Sequence, residues 1–95
     1  MHETNGNQHK GVNADPAALA LGALAWILSD ERRAERMLSL TGLTPDGLRA
    51  AIGSSSLQSS VLGYLEGYEP DLLACAEALA VDPATLVVAR QALDA

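Results

Sequence analysis

Apolar residues recur at helical spacing from about residue 16 to the end of this chain, and no segment alternates apolar and polar positions as a strand would. Six helices are predicted. The first runs from Pro16 to about Leu28, and Leu24, Trp26, Ile27 and Leu28 leave it little polar face. The second starts after Ser29 or Asp30 and closes at Gly42, with Ala34, Met37, Leu38 and Thr41 on one face. The third is short, from Pro45 to about Ile52, closed by Gly53, with Leu48, Ala51 and Ile52 inward. In the fourth, Ser55 and Gln58 match a capping box, and Leu57, Val61, Tyr64, Leu65 and Tyr68 form one stripe. The fifth, Pro70 to about Ala80, buries Leu72, Ala76 and Leu79; the sixth, Pro83 to about Leu93, presents Leu86, Ala89 and Leu93.

Four prolines mark helix starts in this reading: Asp15-Pro16, Thr44-Pro45, Glu69-Pro70 and Asp82-Pro83. A proline in the first turn gives up an amide that has no partner there anyway, and its fixed φ suits the helix. Asp or Thr before it can cap the next free amides. Short turns then force neighbouring helices together. The predicted fold is all-α: a compact orthogonal array of five to six short helices over residues 13–95, behind a disordered leader at residues 1–12. Trp26, Ile27, Leu38, Leu48, Leu65, Leu79 and Leu86 are expected to be mostly buried. A faint repeat at an offset of 38 residues carries Glu31, Pro45, Leu48 and Ala51 onto Glu69, Pro83, Leu86 and Ala89. Each copy is a helix, a tight turn and a second helix.

Composition narrows the class. The chain has 95 residues, enough for one domain, and is 48% hydrophobic but only 3% aromatic, so Leu, Ala, Val and Ile must form the core. A net charge of −6 argues against nucleic acid and anionic lipid as partners. The apolar run Ala17–Leu28 is too short for a bilayer span, which needs about 20 residues. It follows Asp15 and lacks the basic start and small-residue cleavage site of a signal peptide, so a central helix is the simpler reading. The single cysteine, Cys75, cannot close an internal disulfide, and a reducing compartment, the cytoplasm, is the simplest setting.

Catalytic parts are scarce. Both histidines, His2 and His9, fall in the leader, where Glu3 beside them lacks ligand spacing for a metal. Cys75 lies near the apolar face of its helix, as an inert buried thiol would. The serines at 54–56 and the acids at helix starts serve capping and the helix dipole. Catalytic, cofactor and metal sites are therefore all expected to be absent. The one basic cluster, Arg32, Arg33 and Arg36, spans one arc of the second helix opposite Ala34, Leu38 and Thr41. A solvated helix face is the simpler explanation. The same arc carries Leu40, so these four residues are the candidate interaction surface.

Two segments match the grammar of DNA-binding helix-turn-helix units: Cys75 to Leu86, with small Ala76 and Ala80, and Leu38 to Pro45, with Gly42 in the turn. Their recognition positions offer Asp82, Val87 and Val88, or Asp46 and only Arg49, which suits neither phosphates nor bases.

Leu24-Ala25-Trp26-Ile27-Leu28, the segment Leu38 to Arg49 and the stretch Tyr64 to Glu69 resemble small bacterial helical proteins grouped as domain of unknown function 3572. The resemblance covers roughly residues 16–95. It implies an all-helical fold and a bacterial cytoplasmic setting, and it carries no activity or site residues with it. Together these readings lead to a small protein–protein interaction module, self-associating and without catalysis, whose partner is an unidentified protein or a second copy in a homodimer. The motive is the first helix, apolar on more sides than one core contact needs. The alternative is a helix-turn-helix DNA-binding regulator.

Overall fold

In a computed structural model, which describes residues 15–95, six helices follow one another. They are α1 (Pro16–Leu28), α2 (Glu31–Thr41), α3 (Pro45–Ala50), α4 (Ser55–Glu66), α5 (Glu69–Leu79) and α6 (Pro83–Asp94). No strand occurs among the described residues, and the fold is all-α, as the apolar spacing predicts. The expected leader lies outside the described residues.

Helix α1 sits at the centre and packs against α2, α4, α5 and α6, while α4 and α6 form the most extensive pairing. Leu19, Ala20, Ala23, Leu24 and Ile27 bury one broad face of α1. They meet Met37 of α2, Leu48 of α3, Val61, Leu62 and Leu65 of α4, Cys75 and Ala76 of α5, and Leu86 and Ala89 of α6 in one core. Aliphatic and small side chains let these helices approach closely, which is how a chain so poor in aromatics fills its interior.

Pro16, Pro45 and Pro83 are the first residues of their helices, whereas Pro70 is second, after Glu69. Of the residues before them, only Thr44 caps through its side chain, accepting from the Gly47 amide at 3.0 Å. Asp15 and Asp82 make no side-chain cap. Asp30 caps α2 by accepting from the Arg33 amide at 3.1 Å. The cap of α4 falls one residue earlier than the capping-box reading: Ser54 accepts from the Leu57 amide at 3.0 Å. Gln58 does not reach back to the cap; its amide donates to the Ile52 carbonyl at 3.2 Å. Helix α3 ends at Ala50, two residues short of the expected Ile52, because Ala51 already leaves the helical region.

The buried set is partly as expected. Ile27, Leu48, Leu65 and Leu86 are buried, but Trp26, Leu38 and Leu79 are only half-buried against the core edge. Helix α5 is rolled relative to its expected face: Asp71 and Cys75 point inward with Ala76, leaving Leu72 and Leu79 partly exposed. Tyr68, expected on the α4 stripe, lies beyond that helix and is exposed.

The faint repeat extends to helix boundaries. Helices α2 and α5 begin and end at equivalent positions 38 residues apart, and so do the starts of α3 and α6. Gly42 and its equivalent Ala80 both adopt left-handed backbone, at φ 78° and 59°. Met37 and Cys75 are equivalent and fully buried, as are Leu48 and Leu86 to within a few per cent. At the second corner, Val81 N–H donates to the Ala76 carbonyl and Ala80 N–H to that of Glu77, which closes the end of α5 as a Schellman motif. Helices α5 and α6 turn through 99° across it.

Candidate interaction surface

The arginines of α2 were the only basic cluster in the sequence, and the fold divides them. Arg33 lies with its guanidinium 3.8 Å from the centroid of the Trp26 ring. Its Nη2 donates to the Trp26 carbonyl at 2.7 Å and to Ser29 Oγ at 2.9 Å. A cation over an indole face gains from the ring quadrupole while the stem covers apolar surface. Trp26 is therefore shielded by a charge, which explains its half-buried state. Asp30 sits beside Arg33, and its carboxyl is held below the ordinary value, chiefly by the hydrogen bond from the Arg33 amide.

Arg36 reaches the other way. Its Nη1 donates to Asp71 Oδ2 at 2.9 Å and approaches the Tyr64 hydroxyl at 3.4 Å. Its guanidinium also lies 4.6 Å from the Tyr68 ring centroid. Tyr64 donates to the same Asp71 oxygen, and desolvation, followed by that hydrogen bond, pushes the phenol above its ordinary value. The cluster joins α2, α4 and α5 and supplies partners for a carboxylate that is otherwise buried.

Arg33 and Arg36 are thus half-buried and engaged by neighbouring helices, so the basic arc is solvated only in part. Only Arg32 and Leu40 remain on it as exposed residues, Leu40 at 66%. The physical reason is reach: a helical wheel places the arginine Cα atoms on the outer arc, but their side chains extend to Trp26 on α1 and to Asp71 on α5. Asp71 gave no sequence signal for this, since an acid in a first turn is explained by the dipole alone.

A second cluster secures α4 to α6. Arg90 pairs with Glu66 through Nε and with Asp94 through Nη1 at 2.6 Å, and the Ser59 hydroxyl donates to Asp94. Cys75 is fully buried, and burial pushes its thiol up to about 11. Among the described residues no group of three or more His, Cys, Asp or Glu converges as metal ligands would. His2, His9 and Glu3 lie outside those residues.

Open apolar surface occurs elsewhere than on the arginine arc. Where α1, α2 and α3 meet, Leu24, Leu28, Leu38, Pro45, Leu48, Arg49 and Ile52 line a groove of about 310 Å³. Leu28 and Ile52 are nearly half exposed there, at 45% and 46%. A second groove of about 350 Å³ lies between the start of α1 and the outer face of α6, at Pro16, Ala84, Thr85, Val88, Ala89 and Ala92. Sequence spacing missed both, because a groove is made by residues from different helices.

The α5–α6 corner has the crossing of a helix-turn-helix pair, with Leu86 buried and Val81 half-buried beneath it. The exposed positions on α6 are Ala84, Val88, Gln91 and Ala92, with acidic Asp94 at its end; its one cation, Arg90, is engaged by Glu66 and Asp94.

The fold defines a small all-helical domain with open apolar grooves and two ion-pair clusters that tie helices together. The family model for a protein of unknown function (DUF3572) matches residues 13–95, so this chain belongs to that family. No significant match is found among curated proteins or among solved structures. Among the described residues no single helix is long and apolar enough to cross a membrane.

Proposed function

We propose that this chain is a small protein–protein interaction module, self-associating and without catalytic activity of its own, which works in a bacterial cytoplasm. The observation that carries the reading is the apolar groove between α1, α2 and α3, with Leu28 and Ile52 open to solvent at its edge. An apolar patch of this kind on a domain this small is a site that a partner covers. The scarcity of reactive groups supports the rest: Cys75 is buried with a raised pKa, and the Tyr64–Asp71–Arg36 cluster is consumed in holding three helices together. Of the four surface residues named from the sequence, Arg32 and Leu40 are available to a partner. Light scattering from micromolar to millimolar concentration tests self-association. A mass that rises toward the dimer supports it, and a constant monomer mass refutes it.

The 99° corner between α5 and α6 is the one observation favouring the DNA-binding alternative. Its charge opposes that reading, because affinity for DNA needs several cations on one face. A mobility-shift assay with mixed genomic fragments at low salt decides it. Retention that weakens steeply with salt, and that is lost in Arg49→Ala or Arg90→Ala, would establish the regulator instead.

A further inference from the structure

Helix α1 is central, yet one stripe of it faces outward. Ala18, Leu21, Ala25 and Leu28 are all exposed. Their spacing of three, four and three residues is that of a coiled-coil seam, and at 100° per residue they fall within an arc of about 80°. From the geometry of this seam we infer that it is where a second copy of the chain docks, with the two α1 helices antiparallel about a twofold axis at the level of residue 23. The inference rests on the self-association proposed above.

Three features select a second copy. The first is size. In that antiparallel register Ala18 faces Leu28 of the other copy, and Leu21 faces Ala25. Every layer then pairs one large with one small side chain, which lets knobs interleave at close interaxial distance. A parallel pairing would instead stack Leu on Leu and Ala on Ala. The second is charge. The chain carries −6, but α1 has no ionisable side chain from Pro16 to Leu28. Two acidic copies meeting there bring no carboxylates of this helix into opposition. The third is continuity. One helix face covers less than the roughly 800 Å² per partner of a standard interface. Leu28 also lines the groove beside Ile52, so the apolar surface continues past the helix end.

The test uses the full chain in sedimentation-velocity runs over a wide concentration range. The wild type is expected to dimerise, and Leu21→Glu to weaken dimerisation at least about a hundredfold, since each dimer then holds two carboxylates in the seam. Leu73→Glu and Val88→Glu, on exposed sites of α5 and α6, are expected to leave it unchanged. All three sites are on the surface, and circular dichroism checks that each variant keeps its helices. Mixing Leu21→Cys with Ala25→Cys chains under mild oxidation is expected to join position 21 of one copy to position 25 of the other. A dimer indifferent to Leu21→Glu, or one lost in Val88→Glu, would overturn the seam while leaving self-association standing. Cross-links only between two positions 21 would overturn the antiparallel register. A monomer at every concentration would overturn both readings.

Discussion

Arg36 and Asp71 are 35 positions apart in the chain and 2.9 Å apart in the fold, from Nη1 to Oδ2. The Tyr64 hydroxyl donates to the same carboxylate oxygen, so one buried acid collects donors from two other helices. Removing that hydroxyl in Tyr64→Phe keeps the ring in place and takes one donor from Asp71. The expected cost is about 1–3 kcal/mol, the penalty for under-satisfying a buried polar group. In a domain of this size each kcal/mol lowers the melting temperature by roughly 4–8 °C. An unchanged urea midpoint would show that the hydrogen bond contributes nothing net.

Gly42 and Ala80 hold equivalent left-handed positions, but only one is glycine. The Cβ of Ala80 is strained there, while Gly42 pays only the entropy of a flexible residue. Ala80→Gly is expected to stabilise the domain and Gly42→Ala to destabilise it, each by about 1 kcal/mol. Thermal unfolding of the pair reads opposite shifts. Shifts of the same sign would contradict the backbone account.

Gly63 lies in the middle of α4, where a Cβ would meet only Arg90 Cδ at 3.8 Å, an ordinary contact. Gly63→Ala is expected to raise stability by about 0.5–1 kcal/mol through helix propensity. A destabilised variant would mean that the Arg90 stem cannot accommodate the methyl group.

Asp94 is held below its ordinary value of 3.8, first by the Ser59 hydroxyl and then by Arg90. A carboxyl depressed in the folded state contributes stability that is complete above its unfolded value and is lost as pH falls through the folded one. The link between α4 and α6 is therefore expected to weaken below about pH 4. Unfolding free energies for the wild type and Asp94→Asn, measured across the acid range, are expected to converge as pH falls. Parallel curves would remove Asp94 from the acid response.

Cys75 is fully buried and its thiol is pushed up to about 11. Because the thiolate is the reactive form, alkylation at neutral pH is expected only through unfolded or opened chains. The labelling rate should rise with urea in step with unfolding. Rapid labelling of the native protein would contradict the burial.

The helices were legible in local sequence. Proline and glycine punctuation acts within one turn of chain, so Pro16, Pro45, Pro83 and Gly42 could be read at their posts. Apolar spacing likewise identified Ile27, Leu48, Leu65 and Leu86 as core. Contacts that depend on reach between helices were not legible there, because they join residues far apart in the chain. Arg33 and Arg36 have the spacing of a solvated arc, yet Trp26 on α1 and Asp71 on α5 draw them inward. Helix α5 rolls to bury Asp71 because Arg36 and Tyr64 wait to receive it. The same limit applies to α1, whose sequence is apolar on every side. Only its neighbours' positions left Ala18, Leu21, Ala25 and Leu28 uncovered, because burial is a property of what packs against a residue and not of the residue alone.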